Sequence, residues 1–221
     1  MQYNSWLYLF PFLGGSLILY YLLPIKRRWI GLLFSSLLFY ILTMKSLVVV
    51  VLFTTAAIYN IAKVEQAYML KTECLFKLKK KELDRAARKE LKNKTTTKIR
   101  YVIAFLCFIN FGILFVTKYF NFFGENINAL FNALHIPAQI PFLNIFLPLG
   151  ISFYTLSAIS YVTDVARGVC KVERNYLRLL LFLIFFPVIT EGPISRYGQL
   201  GEELKAEHRF DYKQFCFGAQ L

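Results

Sequence analysis

The sequence predicts an all-α, polytopic membrane helical bundle, and three observations carry that prediction. Of its 221 residues, 57% are hydrophobic and 18% aromatic, and mean hydropathy is positive, outside the usual range of soluble globular domains. The apolar residues fall in runs, and a helix that crosses a hydrocarbon core of about 30 Å needs roughly 17–25 of them. The net charge of +13 is concentrated between those runs. Such a charge on a soluble domain would suggest nucleic acid, but no stacking platform or known nucleic-acid module accompanies it, so nucleic acid is not expected as a partner.

One membrane domain over 1–221 is expected, with five to six membrane segments. Residues 6–23 form the first, free of charge. Because residues 1–25 lack the basic start of a secretory signal, and no small-residue cleavage site follows the run, this segment is expected to be retained. Residues 29–62 are apolar except for Lys45. One helix of that length would extend about 51 Å, so the stretch divides near Lys45 into segments 29–44 and 46–62. Segments 101–117 and 145–163 follow. Between them, the asparagine-rich residues 121–144, with Pro137 and Pro141, read as an interfacial connection. The last run, 179–190, is about a dozen residues with Pro187 inside, which favours a re-entrant or tilted segment.

Basic residues decide the orientation. Alternating the loops puts Lys26, Arg27 and Arg28, the thirteen Lys and Arg of the loop 63–100, and Arg167, Lys171, Arg174 and Arg178 on one side. Only Lys45 and Lys118 fall on the other. The positive-inside rule places the amino terminus outside and the basic loop in the cytoplasm of a multi-pass cell-membrane protein. Within that loop Asp84 with Arg88 and Glu90 with Lys94 have i, i+4 spacing, which reads as a solvated helix lying against anionic membrane lipid.

Cys74, Cys107, Cys170 and Cys216 show neither C-x-x-C spacing nor a histidine at metal-ligand distance in sequence, so no metal site or redox pair is indicated. They read as apolar fillers. The informative stretch is FLPLGISFYTLSAISYVTDVARG, residues 146–168. At about 100° per residue, Ser152, Ser157, Ser160, Thr163, Asp164 and Arg167 share one arc of a helix. Tyr154, Ala158, Tyr161, Val162 and Val165 occupy the other side, which suits lipid or apolar helices. Ser160, Asp164 and Arg167, at i, i+4 and i+7, could form a hydrogen bond and an ion pair along the polar arc. Two readings stand: close helix packing with Asp164 and Arg167 marking the interface, or a face lining a substrate pathway.

The blocks LPLGISFYTLSAISYVTDVARG at 147–168 and FFPVITEGPISRYGQL at 185–200, supported by YYLLPIKRRWIGLLFSSLLFY at 20–40 and KYFNFF at 118–123, resemble the membrane-bound O-acyltransferases, most closely the alginate O-acetyltransferase-like branch. The resemblance covers essentially the whole chain but only about the first half of a family member. It therefore implies an incomplete fold of that family, lacking the tryptophan-flanked histidine regarded as catalytic, so the chain reads as truncated. His135 and His208 lack the expected surroundings, and no catalytic residue is assigned.

The resemblance further implies acyl transfer, most simply O-acetylation, to a hydroxyl of an exported polysaccharide. The acyl donor would be acetyl-CoA or a carrier-linked acyl group, with no bound cofactor or metal. Ser152, Ser160, Asp164 and Arg167 are the pore-lining candidates, and Glu191, Arg196 and Tyr197 lie near a mouth. Glu191 departs from the family, which commonly has a small residue there; an ion pair with Arg196 is its plainer role. An extracytoplasmic acyltransferase or a separately encoded second half would be the protein partner. The alternatives are a non-catalytic truncated scaffold, a transporter, or D-alanyl transfer to teichoic acid.

Overall fold

The computed structural model describes residues 8–44, 48–78, 85–142, 150–188 and 195–220. Among these the chain is helical and has no strand. A π-helical segment, Tyr8–Leu13, runs into α1 (Gly14–Leu22), and a single 3-10 turn, Ile25–Arg27, leads into α2 (Arg28–Met44). Pro24 sets this first corner: a residue before proline is pushed out of the helical region, and Leu23 is extended at φ −77, ψ 146. The two helices then approach closely at Gly31, where a β-carbon would meet Leu23 at 2.8 Å.

The expected division near Lys45 lies outside the described residues, but α2 ends at Met44 and α3 begins at Val48 (Val48–Leu78). The loop 63–100 is largely a continuation of helices, because α3 runs on to Leu78 and α4 (Arg85–Ala133) starts at Arg85. The helical parts of this loop contain no Pro or Gly and many good helix formers, so nothing in the sequence stops either helix there. Glu90 and Lys94 pair at 2.8 Å, while Asp84 lies outside the described residues.

The connection expected over 121–144 is corrected in the same way. α4 continues through Asn121 and ends at Ala133, and Asn126 donates to the Phe122 carbonyl one turn back at 2.7 Å. The chain leaves the helix at His135, with φ 57, before Pro137. Asn128 then holds the returning segment, donating to the Ile140 carbonyl at 3.0 Å and accepting its N–H at 2.7 Å.

α5 (Ile151–Ala166) and α6 (Tyr176–Ile184) complete the packed body, followed by a π-helical turn, Tyr197–Gly201, and α7 (Tyr212–Gln220). α6 is the hub. Its residues Leu179, Leu180, Leu181, Phe182, Leu183 and Ile184 are all buried, and it packs on α2, α3 and α5. Each such side chain contributes about 2 kcal/mol on leaving water. Nine residues rise only about 13 Å, short of a span. By length and composition, one helix among the described residues can cross a membrane, Val48–Thr72. Pro11–Leu22 is apolar but shorter.

Candidate functional site

Two glycines shape the ends of α5. Gly150 stands before its first residue at φ 69, and Gly168 follows Arg167 at φ 72. At the latter, the Gly168 N–H donates to Val165 O at 2.9 Å and the Val169 N–H to Asp164 O at 2.9 Å. This is the Schellman arrangement, which consumes the carbonyls a helix end leaves open and turns the chain toward Cys170.

The two arcs of α5 meet different surroundings. Tyr154, Ala158, Tyr161, Val162 and Val165 are all buried in the main core, so the apolar side serves helix packing against α3, α4 and α6. Tyr154 also reaches α3 through its hydroxyl, 2.5 Å from Thr54 Oγ1 and 3.3 Å from Thr55 Oγ1. Along the polar arc, Ser152, Ser157, Ser160 and Thr163 are half-buried, Asp164 is buried and Arg167 is exposed. Among the described residues Asp164 and Arg167 make no ion pair: Arg167 is already the capping position and turns outward.

The lower end of the polar arc borders a cleft of about 770 Å³ between α3, α4 and α5. α3 supplies Met69 and Thr72, α4 supplies Thr95, Thr96, Ile99, Arg100 and Ile103, and α5 supplies Thr163 and Arg167. The Thr72 and Thr95 hydroxyls meet at 3.0 Å, joining α3 to α4 beside the opening. Among the described residues, none that lines it is acidic. Ser157 instead borders a void of about 10 Å³ with Phe182, Phe185 and Ser195, which is barely room for one water.

A second cluster closes the turn between α5 and α6. Glu173 is 8% exposed, and its Oε2 accepts from the Tyr197 hydroxyl at 2.5 Å and pairs with Lys205 Nζ at 2.6 Å. Its Oε1 accepts the Asn175 N–H at 2.9 Å, and its own N–H donates to the Tyr161 hydroxyl at 3.0 Å. Burial alone would raise the Glu173 carboxyl, but bonds from Lys205, Tyr197 and the Asn175 N–H hold it below the usual carboxylate range. Tyr197 moves the other way, raised by burial and by its bond to Glu173. The Tyr197 ring lies edge-on to Tyr161 and Phe182, at 4.9 and 5.1 Å between centroids, with Lys205 Nζ 4.9 Å from its own centroid.

The sequence candidates therefore separate. Thr163 and Arg167 reach the cleft, Ser152 and Ser160 lie along the arc above it, and Asp164 is enclosed. Tyr197, 2% exposed, faces the core with Glu173, while Arg196 beside it is exposed. Glu191 lies outside the described residues. His135 and His208 are exposed; His208 is 3.5 Å from Glu203. Glu173 and Lys205 escaped the sequence reading because they stand in connecting segments far apart in sequence. Glu65 also escaped it, although an acid inside an apolar helix was a legible signal: it is 1% exposed, and both carboxylate oxygens lack a hydrogen-bond partner among the described residues. No group of three His, Cys, Asp or Glu among the described residues could hold a metal ion.

Comparison with known proteins supplies the context for this arrangement. No family model matches the chain, and no solved structure does. It is 30% identical over 205 residues, 92% of its length, to the Pseudomonas aeruginosa protein named "Probable alginate O-acetylase AlgI", covering 34% of that relative. The protein of the same name from Azotobacter vinelandii is 29% identical over 92% of the chain, with 36% of the relative covered. A Bacillus subtilis teichoic acid D-alanyltransferase is 34% identical over 70 residues, 31% of this chain and 18% of that protein. The chain thus spans about a third, or less, of the length of these curated relatives.

Proposed function

We propose, from the premise that the chain belongs to the membrane-bound O-acyltransferase family, that it forms part of an enzyme that O-acetylates an exported cell-surface polysaccharide. The observation that carries this reading is the 30% identity to a probable alginate O-acetylase across 92% of the chain. The protein sits in the cell membrane as a multi-pass bundle, amino terminus outside and the basic residues of 63–100 at the cytoplasmic face. Val48–Thr72 supplies one span, and the apolar runs in α1, α2, α4 and α5 supply others.

In this reading α5 is a wall of the acyl-transfer path. Its apolar side is anchored in the core, which leaves Ser152, Ser160 and Thr163 on the side available to substrate. These hydroxyls orient a polar acceptor, and Asp164 biases the local field. A histidine acting as general base would remove the acceptor hydroxyl proton as its oxygen attacks the acyl carbonyl, and the carrier thiolate would leave. The donor is acetyl-CoA or a carrier-linked acyl group delivered from the cytoplasm, and neither His135 nor His208 is assigned the basic role.

D-alanyl transfer to teichoic acid is the second reading, favoured by the matched 70 residues of the Bacillus subtilis enzyme. Mass analysis of cell-surface polymers from a deletion strain separates the two: loss of acetyl esters is expected, and loss of D-alanyl esters alone would establish the rival. Unchanged acyl content would overturn both. In the complementing gene, Asp164→Asn is expected to lower ester content at unchanged protein level in the membrane. Tyr154→Ala, on the packed side, is expected to lower the protein level instead.

A further inference from the structure

We infer that the cleft between α3, α4 and α5 is a binding site for the phosphate headgroup of an anionic membrane lipid. This rests on the membrane placement proposed above, but not on acyl transfer. Two guanidinium groups, Arg100 and Arg167, border the cleft, and among the described residues no acidic side chain does. Among the described residues neither forms a salt bridge. Guanidinium forks match the oxygens of a phosphate, and the Thr96 and Thr163 hydroxyls add hydrogen-bonding groups at the same opening.

The remaining wall chooses lipid over a fully water-soluble phosphate. Ile99, Ile103 and Ala104 continue the cleft along α4 into the charge-free run 101–117, where Phe111, on the same side of the helix by its periodicity, is 52% exposed. A ligand that places its charge between Arg100 and Arg167 thus has the apolar side chains of Ile99, Ile103 and Ala104 beside it for the start of its acyl chains. Lys98 next to this end of α4 adds to the positive field that draws anionic headgroups toward the cytoplasmic face. The cleft stands where a charged interface meets an apolar span, which is where such a lipid resides.

The test uses the whole chain, purified in detergent micelles and read by native mass spectrometry. Phosphatidylglycerol and phosphatidylcholine of identical acyl chains are supplied in turn. Wild-type protein is expected to retain phosphatidylglycerol with about 25-fold preference, from two arginines each worth about a factor of five. Arg100→Gln with Arg167→Gln should abolish the preference, the paired Arg→Lys variants should keep part of it, and Lys213→Gln on α7 should leave it intact. Equal retention of both lipids, or equal loss in Lys213→Gln, would overturn the site. Displacement of phosphatidylglycerol by micromolar acetyl-CoA or by inorganic phosphate would assign the cleft to a soluble phosphate ligand and overturn the lipid. Release of the chain from native membranes by alkaline carbonate would overturn the membrane placement together with this site, whereas stable insertion without headgroup preference overturns this site alone.

Discussion

The Glu173 cluster and the α3–α4–α5 cleft both present charge at the ends of helices, and they resolve it in opposite ways. At Glu173 the carboxylate is enclosed and both its oxygens are occupied, by Lys205, Tyr197 and the Asn175 N–H. At the cleft, Arg100 and Arg167 are exposed, and among the described residues no acid shares the lining. A buried charge survives only when its hydrogen bonds are complete, so the first region is organised for rigidity. It ties the segment after Arg196 onto α5 and α6. The second region leaves its hydrogen-bonding capacity outward, as a ligand site must.

The sharpest way to break this contrast is at Glu173. Glu173→Ala strands the Tyr197 hydroxyl in the core, leaves Lys205 only its 3.3 Å contact with Glu202, and is expected to cost about 3 kcal/mol, read as a lowered thermal midpoint in detergent. The pH dependence has a definite sign. The folded carboxyl lies below its ordinary value of 4.5, so its contribution is complete above that value and is lost as pH falls through the depressed folded value. The wild-type midpoint should therefore drop more steeply below about pH 4.5 than that of Glu173→Gln. Parallel acid profiles would mean that the carboxylate is not what holds this turn.

Next in size is Gly201. A β-carbon there would come within 2.7 Å of the Tyr197 ring, which Tyr161 and Phe182 box in. Gly201→Ala is expected to cost about 2 kcal/mol through this overpacking. A π-helical turn is uncommon, and here it brings Gly201 under the Tyr197 ring. If the alanine variant melts like wild type, the ring has room to move and the cluster is looser than its contacts indicate.

The contrast also explains what sequence could and could not reveal. A helix end near residue 44, where α2 stops at Met44, was legible because one helix over 29–62 would exceed a hydrocarbon core of about 30 Å. So was the division of α5 into two arcs, since helical periodicity alone sorts Ser152, Ser160 and Asp164 from Tyr154, Ala158 and Tyr161. The charged stretch reads as helical, but the length of α4 is misjudged because the asparagines of 121–144 read as a connection, whereas a helix tolerates them on its exposed side. The family resemblance alone places Tyr197 near a mouth. Its burial depends on Glu173 and Phe182, and long-range packing of that kind leaves no periodic trace.

Smaller effects separate backbone from side chain at the junction of the two regions. Gly168 has open space around its α-carbon, so Gly168→Ala meets no clash. Its cost, about 1 kcal/mol, comes entirely from holding an L-residue at φ 72. That figure should be unchanged in a Glu173→Gln background, because the Schellman bonds at Asp164 and Val165 use only backbone groups. Coupling larger than about 0.5 kcal/mol would show that the turn and the carboxylate cluster fold as one unit.

Arg167 is expected to show the smallest effect on stability, and for that reason it tests the comparison most directly. It caps α5 through its backbone N–H, which donates to Thr163 O at 3.0 Å, while its guanidinium is exposed. Arg167→Gln keeps the backbone bond and removes only the charge, so stability without added lipid should change by no more than about 0.5 kcal/mol. A loss as large as that of Glu173→Ala would mean that Arg167 has a hidden partner and that the cleft is closed. Wild-type stability combined with a lost response to anionic lipid is the outcome that distinguishes charge kept for a ligand from charge spent on the fold.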